Sequence, residues 1–179
     1  MTNYSKDELC NLIQNSPEEF NDWRNSKGDI DLSEMDFSGL SLNDINLSNA
    51  DLNSSSFADA NLTSVNFTGS DLTAVEFTRS TIVESDFTDT VLAGANYSYA
   101  SVNYCNFTDA DMAGTIFQES DLSDSDFTGS YNLSACRFDE GTTWPDADML
   151  PEDFDSTYVE DLSSLKDDEK DSYDDMATY

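Results

Sequence analysis

Between Asp31 and Phe138 an apolar residue recurs at every fifth position. The series runs Leu32, Phe37, Leu42, Leu47, Leu52, Phe57, Leu62, Phe67, Leu72, Phe77, Ile82, Phe87, Leu92, Tyr97, Val102, Phe107, Met112, Phe117, Leu122 and Phe127. After Tyr131 it slips by one residue and continues with Leu133 and Phe138. A period of five matches neither the 3.6 of an amphipathic helix nor the 2 of a half-buried strand. It marks an internal repeat, and the repeat decides the fold.

Around each apolar centre the other positions also repeat. Two residues before it stands a small or β-branched side chain, as at Ala50, Val65, Ser85, Cys105 and Ser125. Directly before it stands Asp or Asn in most units, and directly after it Ser or Thr. Each unit thus offers one large and one small inward side chain and three positions facing water. The chain must turn once per unit, and Asx and Ser/Thr side chains can satisfy the backbone at such turns. Gly39, Gly69, Gly94, Gly114 and Gly129 all lie two after a centre, where a corner would fall.

The flanks differ. Residues 1–28 predict two short helices: Ser5 and Glu8 form a capping-box pattern ahead of Leu9, Leu12 and Ile13, and Ser16-Pro17 starts a second helix carrying Phe20 and Trp23. Neither is long enough to be stable alone, so they are read as a cap on the repeat stack. The repeat occupies 29–141. Segment 142–165 is expected to close the other end, with Trp144, Pro145, Met149, Leu150 and Phe154 covering strand edges. Tyr158, Val159, Leu162 and Leu165 suggest a weak helix there, and 166–179 reads as an acidic, solvated tail. The slip at Gly129–Leu133 is read as an extra corner residue.

The units resemble those of the pentapeptide repeat proteins, written A(D/N)LXX: Ala50-Asp51-Leu52, Ala60-Asn61-Leu62 and Ala110-Asp111-Met112 match closely. The Trp23-Arg24 pair and the closing segment from Phe138 to Pro145 resemble the family's ends. The resemblance implies an all-β solenoid, a right-handed quadrilateral β-helix with four units per coil and a short α-helical N-terminal cap. Residues twenty apart would then stack. The centres sort into two opposed aromatic columns, from Phe37 to Phe117 and from Leu47 to Phe127. Two aliphatic columns, from Leu42 to Leu122 and from Leu52 to Leu133, lie between them. Each buried centre should contribute roughly 1.5–3 kcal/mol.

Composition then narrows the chemistry. With 38 acidic and 7 basic residues, no His and a formal charge of −31, the chain repels nucleic acid and anionic lipid and favours basic partners. No run is long enough to span a bilayer, and no signal peptide opens the chain. Cys10, Cys105 and Cys136 form no CxxC and are read as reduced thiols in a cytoplasmic protein. Without His, Ser/His and Cys/His catalysis fall away. No phosphate-binding loop, zinc spacing or calcium loop occurs. The expectation is a non-enzyme without cofactor or metal.

Function must then lie on the outside. From Asp29 to Glu140 there are 20 acidic residues and two basic ones. On a rod of ~26 Å this is on the order of one net charge per 1.5 Å, against about 1.7 Å for duplex DNA. The stacking puts Asp31, Asp51, Asp71 and Asp111 on one side, interrupted by Val91. Asp86, Asp89, Asp109 and Asp126 fall on the neighbouring side. The resemblance adds that some family members are DNA mimics that bind type II topoisomerases such as DNA gyrase. This acidic ladder is therefore expected to occupy the DNA-binding groove of a basic, DNA-binding protein, with no direct contact to nucleic acid or membrane. The alternative is a structural or protein-interaction scaffold whose acidity serves solubility only. Val83, Val91, Tyr99, Tyr104 and Ile116 break the polar rule outside and form a candidate apolar contact patch for a partner or a second copy. A homodimer stays open, although the C-terminus shows no clear dimer helix.

Overall fold

The computed structural model describes residues 4–156. The suggested helix at 158–165 and the acidic tail at 166–179 lie outside them. Two helices come first, α1 (Lys6–Asn15) and α2 (Pro17–Arg24). The capping box of α1 forms: the Ser5 side chain accepts the Glu8 N–H while Glu8 accepts the Ser5 N–H. The Ser16 cap of α2 differs from expectation, because its side chain makes no capping bond and only Pro17 at the first helical position marks the start.

Six short strands follow: β1 (Ile30–Asp31), β2 (Ser41–Asn43), β3 (Ala50–Asp51), β4 (Asn61–Thr63), β5 (Thr81–Val83) and β6 (Ser101–Asn103). All pair in parallel at an offset of twenty residues, as in Leu42↔Leu62↔Ile82↔Val102. Isolated bridges carry the same offset around the other sides, as in Asp36↔Ser56↔Glu76↔Asn96 and Asn66↔Asp86↔Asn106↔Asp126. Twenty residues at five per unit make four units per coil, so the chain is a four-sided parallel β solenoid. Its sides are numbered here by their first centres: side 1 from Leu32, side 2 from Phe37, side 3 from Leu42 and side 4 from Leu47. Side 3 alone builds a four-stranded sheet, in the order β2-β4-β5-β6.

The core is the filled interior of the coils. Every centre from Leu32 to Phe127 is buried. The aromatic columns stack as the repeat order predicts: Phe57 on Phe77 at 5.2 Å, Phe77 on Tyr97 at 4.7 Å, and Phe67, Phe87, Phe107 and Phe127 at 4.7–4.8 Å. The two columns meet edge-to-face across the rod, as with Phe77 and Phe87 at 6.0 Å. The small inward hydroxyls are not idle filler. Ser80, Thr90 and Ser120 donate to the carbonyls of Phe77, Phe87 and Phe117, which satisfies buried acceptors between the columns.

Every corner has one form. The residue two after each centre from Leu32 to Phe127 has φ between about 51 and 72°, and glycine occupies only five of these positions. The N–H of the small residue returns to the carbonyl of the preceding centre, as from Ser80 to Phe77 at 3.1 Å. This is a turn whose third residue is left-handed, as in type II.

At the ends the structure departs from the sequence reading. Tyr131 keeps the pre-centre position, paired with Asp111, while Leu133 is buried. The extra residue is therefore Asn132, left-handed at φ 60° and lying within side 1 rather than at a corner. A second residue enters before Thr143, which pairs with Asp121 at an offset of 22. The repeat thus continues past 142. Trp144 stands at the centre position beyond Leu122 and meets Phe117, Phe127 and Phe138 edge-to-face. Phe154 closes over Trp144 at 4.8 Å, whereas Met149 is exposed and only its carbonyl serves, accepting the Phe127 N–H.

Candidate functional surface

The outward positions are shaped first by turn chemistry. Oδ1 of the pre-centre Asp or Asn accepts the N–H two residues on, at Asp36, Asn46, Asp51, Asn66, Asp71, Asp86, Asn106, Asp111 and Asp126. These are Asx turns, and they explain why Asp and Asn interchange there. One carboxylate oxygen is engaged locally and the other faces outward.

The predicted ladder is assembled. Asp31↔Asp51↔Asp71↔Val91↔Asp111 runs down side 1 by direct pairing. Asp86 and Asp126 lie on side 4, separated by Asn106. Asp89 and Asp109 occupy the corner between these sides, both left-handed and exposed. Asp31 stands apart electrostatically. Lys6 Nζ lies 2.6 Å from its Oδ1, and the Ser33 hydroxyl and N–H bond the same atom. The hydrogen bond from Lys6, then those from Ser33, hold its carboxyl down at about 2. This end of the ladder is tied to the helical cap.

Three further acids were not singled out from the sequence. Asp44, Glu84 and Asp124 share the corner between sides 3 and 4, each at positive φ. The signal was available: they stand two after a centre and multiples of twenty apart. With them, side 4, side 1 and the two corners bounding side 4 form one acidic half whose own repeat residues include no Lys or Arg, Lys6 of the cap reaching it at Asp31. Both arginines of the repeat lie elsewhere. Arg79 is at the corner between sides 2 and 3, in a two-pronged pair with Asp59 at 2.8 and 2.9 Å, and Arg137 pairs with Ile116 on side 2. Side 3 is nearly uncharged. Its outward residues in β2, β4, β5 and β6 are Ser41, Asn43, Asn61, Thr63, Thr81, Val83, Ser101 and Asn103, followed by Asp121 and Ser123.

The predicted apolar patch is not one patch. Val91 is on side 1, Ile116 on side 2 and Val83 on side 3. Tyr99 and Tyr104, 58% and 63% exposed, stand at the two corners that flank side 3. Tyr131, also exposed, continues the Val91–Asp111 ladder and was missed because the slip hides its register.

Burial pushes the thiols of Cys105 and Cys136 up to about 12 and that of Cys10 to about 11, so all three are protonated at neutral pH. Among the described residues no group of three or more His, Cys, Asp or Glu is placed to hold a metal ion, and no helix is long and apolar enough to cross a membrane. A cavity of about 160 Å³ lies at the slip, lined by residues that include Tyr131, Asn132, Asp153 and Phe154.

No curated protein matches the chain. Among solved structures it is similar to HetL, a pentapeptide repeat protein involved in heterocyst differentiation regulation from the cyanobacterium Nostoc, at 21% identity. That match covers 65% of this chain and 64% of HetL, slightly under two thirds, with a TM-score of 0.32. A pentapeptide repeat protein of the Arabidopsis thaliana thylakoid lumen is 23% identical over 80% of this chain and 73% of that one, with a TM-score of 0.30. QnrB1, a plasmid-mediated fluoroquinolone resistance protein, is 16% identical over 87% of this chain and 93% of its own, with a TM-score of 0.39. The family models speak to the repeat itself. The pentapeptide repeat region matches residues 28–87, and pentapeptide repeats in eight copies match 92–129 and 105–140. These spans coincide with the coils built from five-residue units, and the chain belongs to the pentapeptide repeat family.

Proposed function

We propose that this chain is a non-catalytic, cytoplasmic protein-binding module, a right-handed square β-helix whose acidic half takes the place of DNA in the groove of a basic, DNA-binding protein. A type II topoisomerase such as DNA gyrase is the partner class the family resemblance suggests. The observation that carries the reading is the one-sidedness of the charge. Asp51, Asp71, Asp86, Asp89, Asp109, Asp111 and Asp126 face one half of the rod, with no cation among them. Acidity selected for solubility alone has no reason to leave side 3 nearly bare. A surface of this kind raises encounter rates with a cationic groove and loses strength as salt rises.

The test is displacement of DNA from purified gyrase, read by supercoiling and by DNA retention at ~50 and ~200 mM salt. Inhibition at low salt that fades at high salt is expected. The variant Asp71→Asn, Asp86→Asn, Asp111→Asn, Asp126→Asn keeps each Oδ1 acceptor, hence the turns, and should weaken inhibition about tenfold or more. Untouched supercoiling and DNA binding at low salt would sink the mimic.

A scaffold with a merely soluble surface is the second reading. It is favoured by one observation: the pre-centre carboxylates serve the Asx turns, a structural role that Asn fills equally at Asn46, Asn66 and Asn106.

A further inference from the structure

We propose that side 3 is a pairing surface for a second copy of this chain, with the two rods parallel about a two-fold axis that runs along the rod between them. Three considerations lead there. The first is charge. In a chain carrying −31, two copies can approach only where carboxylates are sparse, and the five ladder rows of side 3 carry Asp121 alone. Its Ser, Thr and Asn side chains both donate and accept hydrogen bonds, so the face is complementary to itself.

The second is strain. Tyr99 and Tyr104 sit at φ 61° and 57°, and no other corner of the coils holds an aromatic side chain. A bulky residue in the left-handed region is costly, and such outliers point towards function. Both rings are largely exposed, and both follow centres of one coil, Tyr97 and Val102.

The third is complementarity across the axis. This symmetry brings each corner between sides 2 and 3 against the partner's corner between sides 3 and 4. Within one coil, Tyr99 then meets Tyr104 and Arg79 meets Glu84, each contact made twice. Glu119 meets Asp124 lower down, a repulsion that salt screens. Four strands at ~4.8 Å give a face on the order of 20 Å long. The pair therefore buries less than the roughly 800 Å² per partner of a standard interface, and association is concentration-dependent. This surface shares the corner of Asp44, Glu84 and Asp124 with the acidic half but is argued from its own residues, so it does not rest on the proposed DNA mimicry.

Sedimentation equilibrium of the full chain, from micromolar to millimolar concentration in low and high salt, tests the proposal. The expected result is a monomer–dimer equilibrium that tightens as salt rises. Tyr99→Ser with Tyr104→Ser should raise the dissociation constant roughly tenfold or more. Arg79→Glu should weaken pairing, and adding Glu84→Arg should restore it; circular dichroism and thermal melting check that each variant folds. A monomer at every concentration and salt overturns the proposal and leaves the face to a different partner. So does a dimer that ignores the tyrosine variant, or a charge swap that fails to rescue. DNA-displacement activity of the tyrosine variant, measured in parallel, reports on the acidic half separately.

Discussion

Single residues carry costs that the repeat tolerates. Tyr97 fills a phenylalanine column, fully buried between Phe77 and Phe117, and its hydroxyl has no hydrogen-bond partner. A buried unsatisfied hydroxyl costs about 1–3 kcal/mol. Tyr97→Phe should therefore raise the midpoint of urea unfolding, and an unchanged or lower midpoint would show that the hydroxyl is satisfied in solution. Corner strain gives a reciprocal pair. Ala74, exposed at φ 55°, and Gly94, at φ 70° with nothing near its missing Cβ, occupy one corner column. Ala74→Gly should stabilise and Gly94→Ala destabilise by about 1 kcal/mol each; equal signs in chemical denaturation would refute the strain. Asp31 adds a pH dependence. Its folded carboxyl is held at about 2, below the ordinary 3.8. A depressed pKa stabilises above the ordinary value, and the contribution is lost as pH falls from about 3.8 through 2. The stability gap between wild type and Asp31→Asn should be present at pH 6 and mostly lost by pH 2, small throughout because the pair is exposed.

At the scale of elements, a solenoid must end its ladders somewhere, and here side chains impersonate the missing strand. Asn21 of α2 donates to the Asp44 carbonyl at 2.7 Å and accepts the Asn46 N–H at 2.9 Å. Arg24 is buried and donates to the carbonyls of Lys27, Gly28 and Ser48. Lys6 of α1 does the same for Ser33 on side 1. Leu9, Ile13 and Phe20 then cover the open end of the core. The cap is thus a polar graft onto strand edges above an apolar plug. Arg24→Ala leaves three carbonyls without their charged donor, a loss of about 2–3 kcal/mol. Hydrogen exchange should accelerate in α2 and the first coil while the Phe87 and Phe107 coils stay protected. Uniform acceleration along the rod would mean that the cap and the coils are one cooperative unit.

Across the whole molecule, one strongly charged half is set against one nearly neutral side. With 38 acidic residues against seven basic ones, self-repulsion at a net −31 opposes the compact state. Thermal stability should therefore climb with added NaCl, most steeply up to a few tenths molar, where the screening length falls below about 8 Å. A melting temperature indifferent to salt would show that the carboxylates are too far apart to matter. The same field underlies both proposals. In the first it would draw a cationic groove to sides 4 and 1, and in the second it would leave side 3 for self-association.

Much of this molecule was legible in the amino-acid order, because a five-residue period leaves few ways to bury its centres. The columns, the aromatic–aliphatic alternation, the Asx positions and the side 1 ladder of Asp51, Asp71 and Asp111 follow from residue number once four units make a coil. The family follows as well. What failed were statements needing a third dimension or a broken period. Asn132 entered mid-side instead of at a corner, and Trp144 joined a column past the expected end, because an insertion shifts register without leaving a local signal. Asp31 looked like its ladder mates until α1 brought Lys6 to it, a contact twenty-five residues apart in the chain. Val83, Val91, Tyr99, Tyr104 and Ile116 looked alike as exceptions, yet they fall on three sides and two corners. The sequence by itself determined the coil, since periodic burial acts locally and repeats. Only the tertiary structure decided which charges stand together, since that depends on how far each corner turns the chain around the axis.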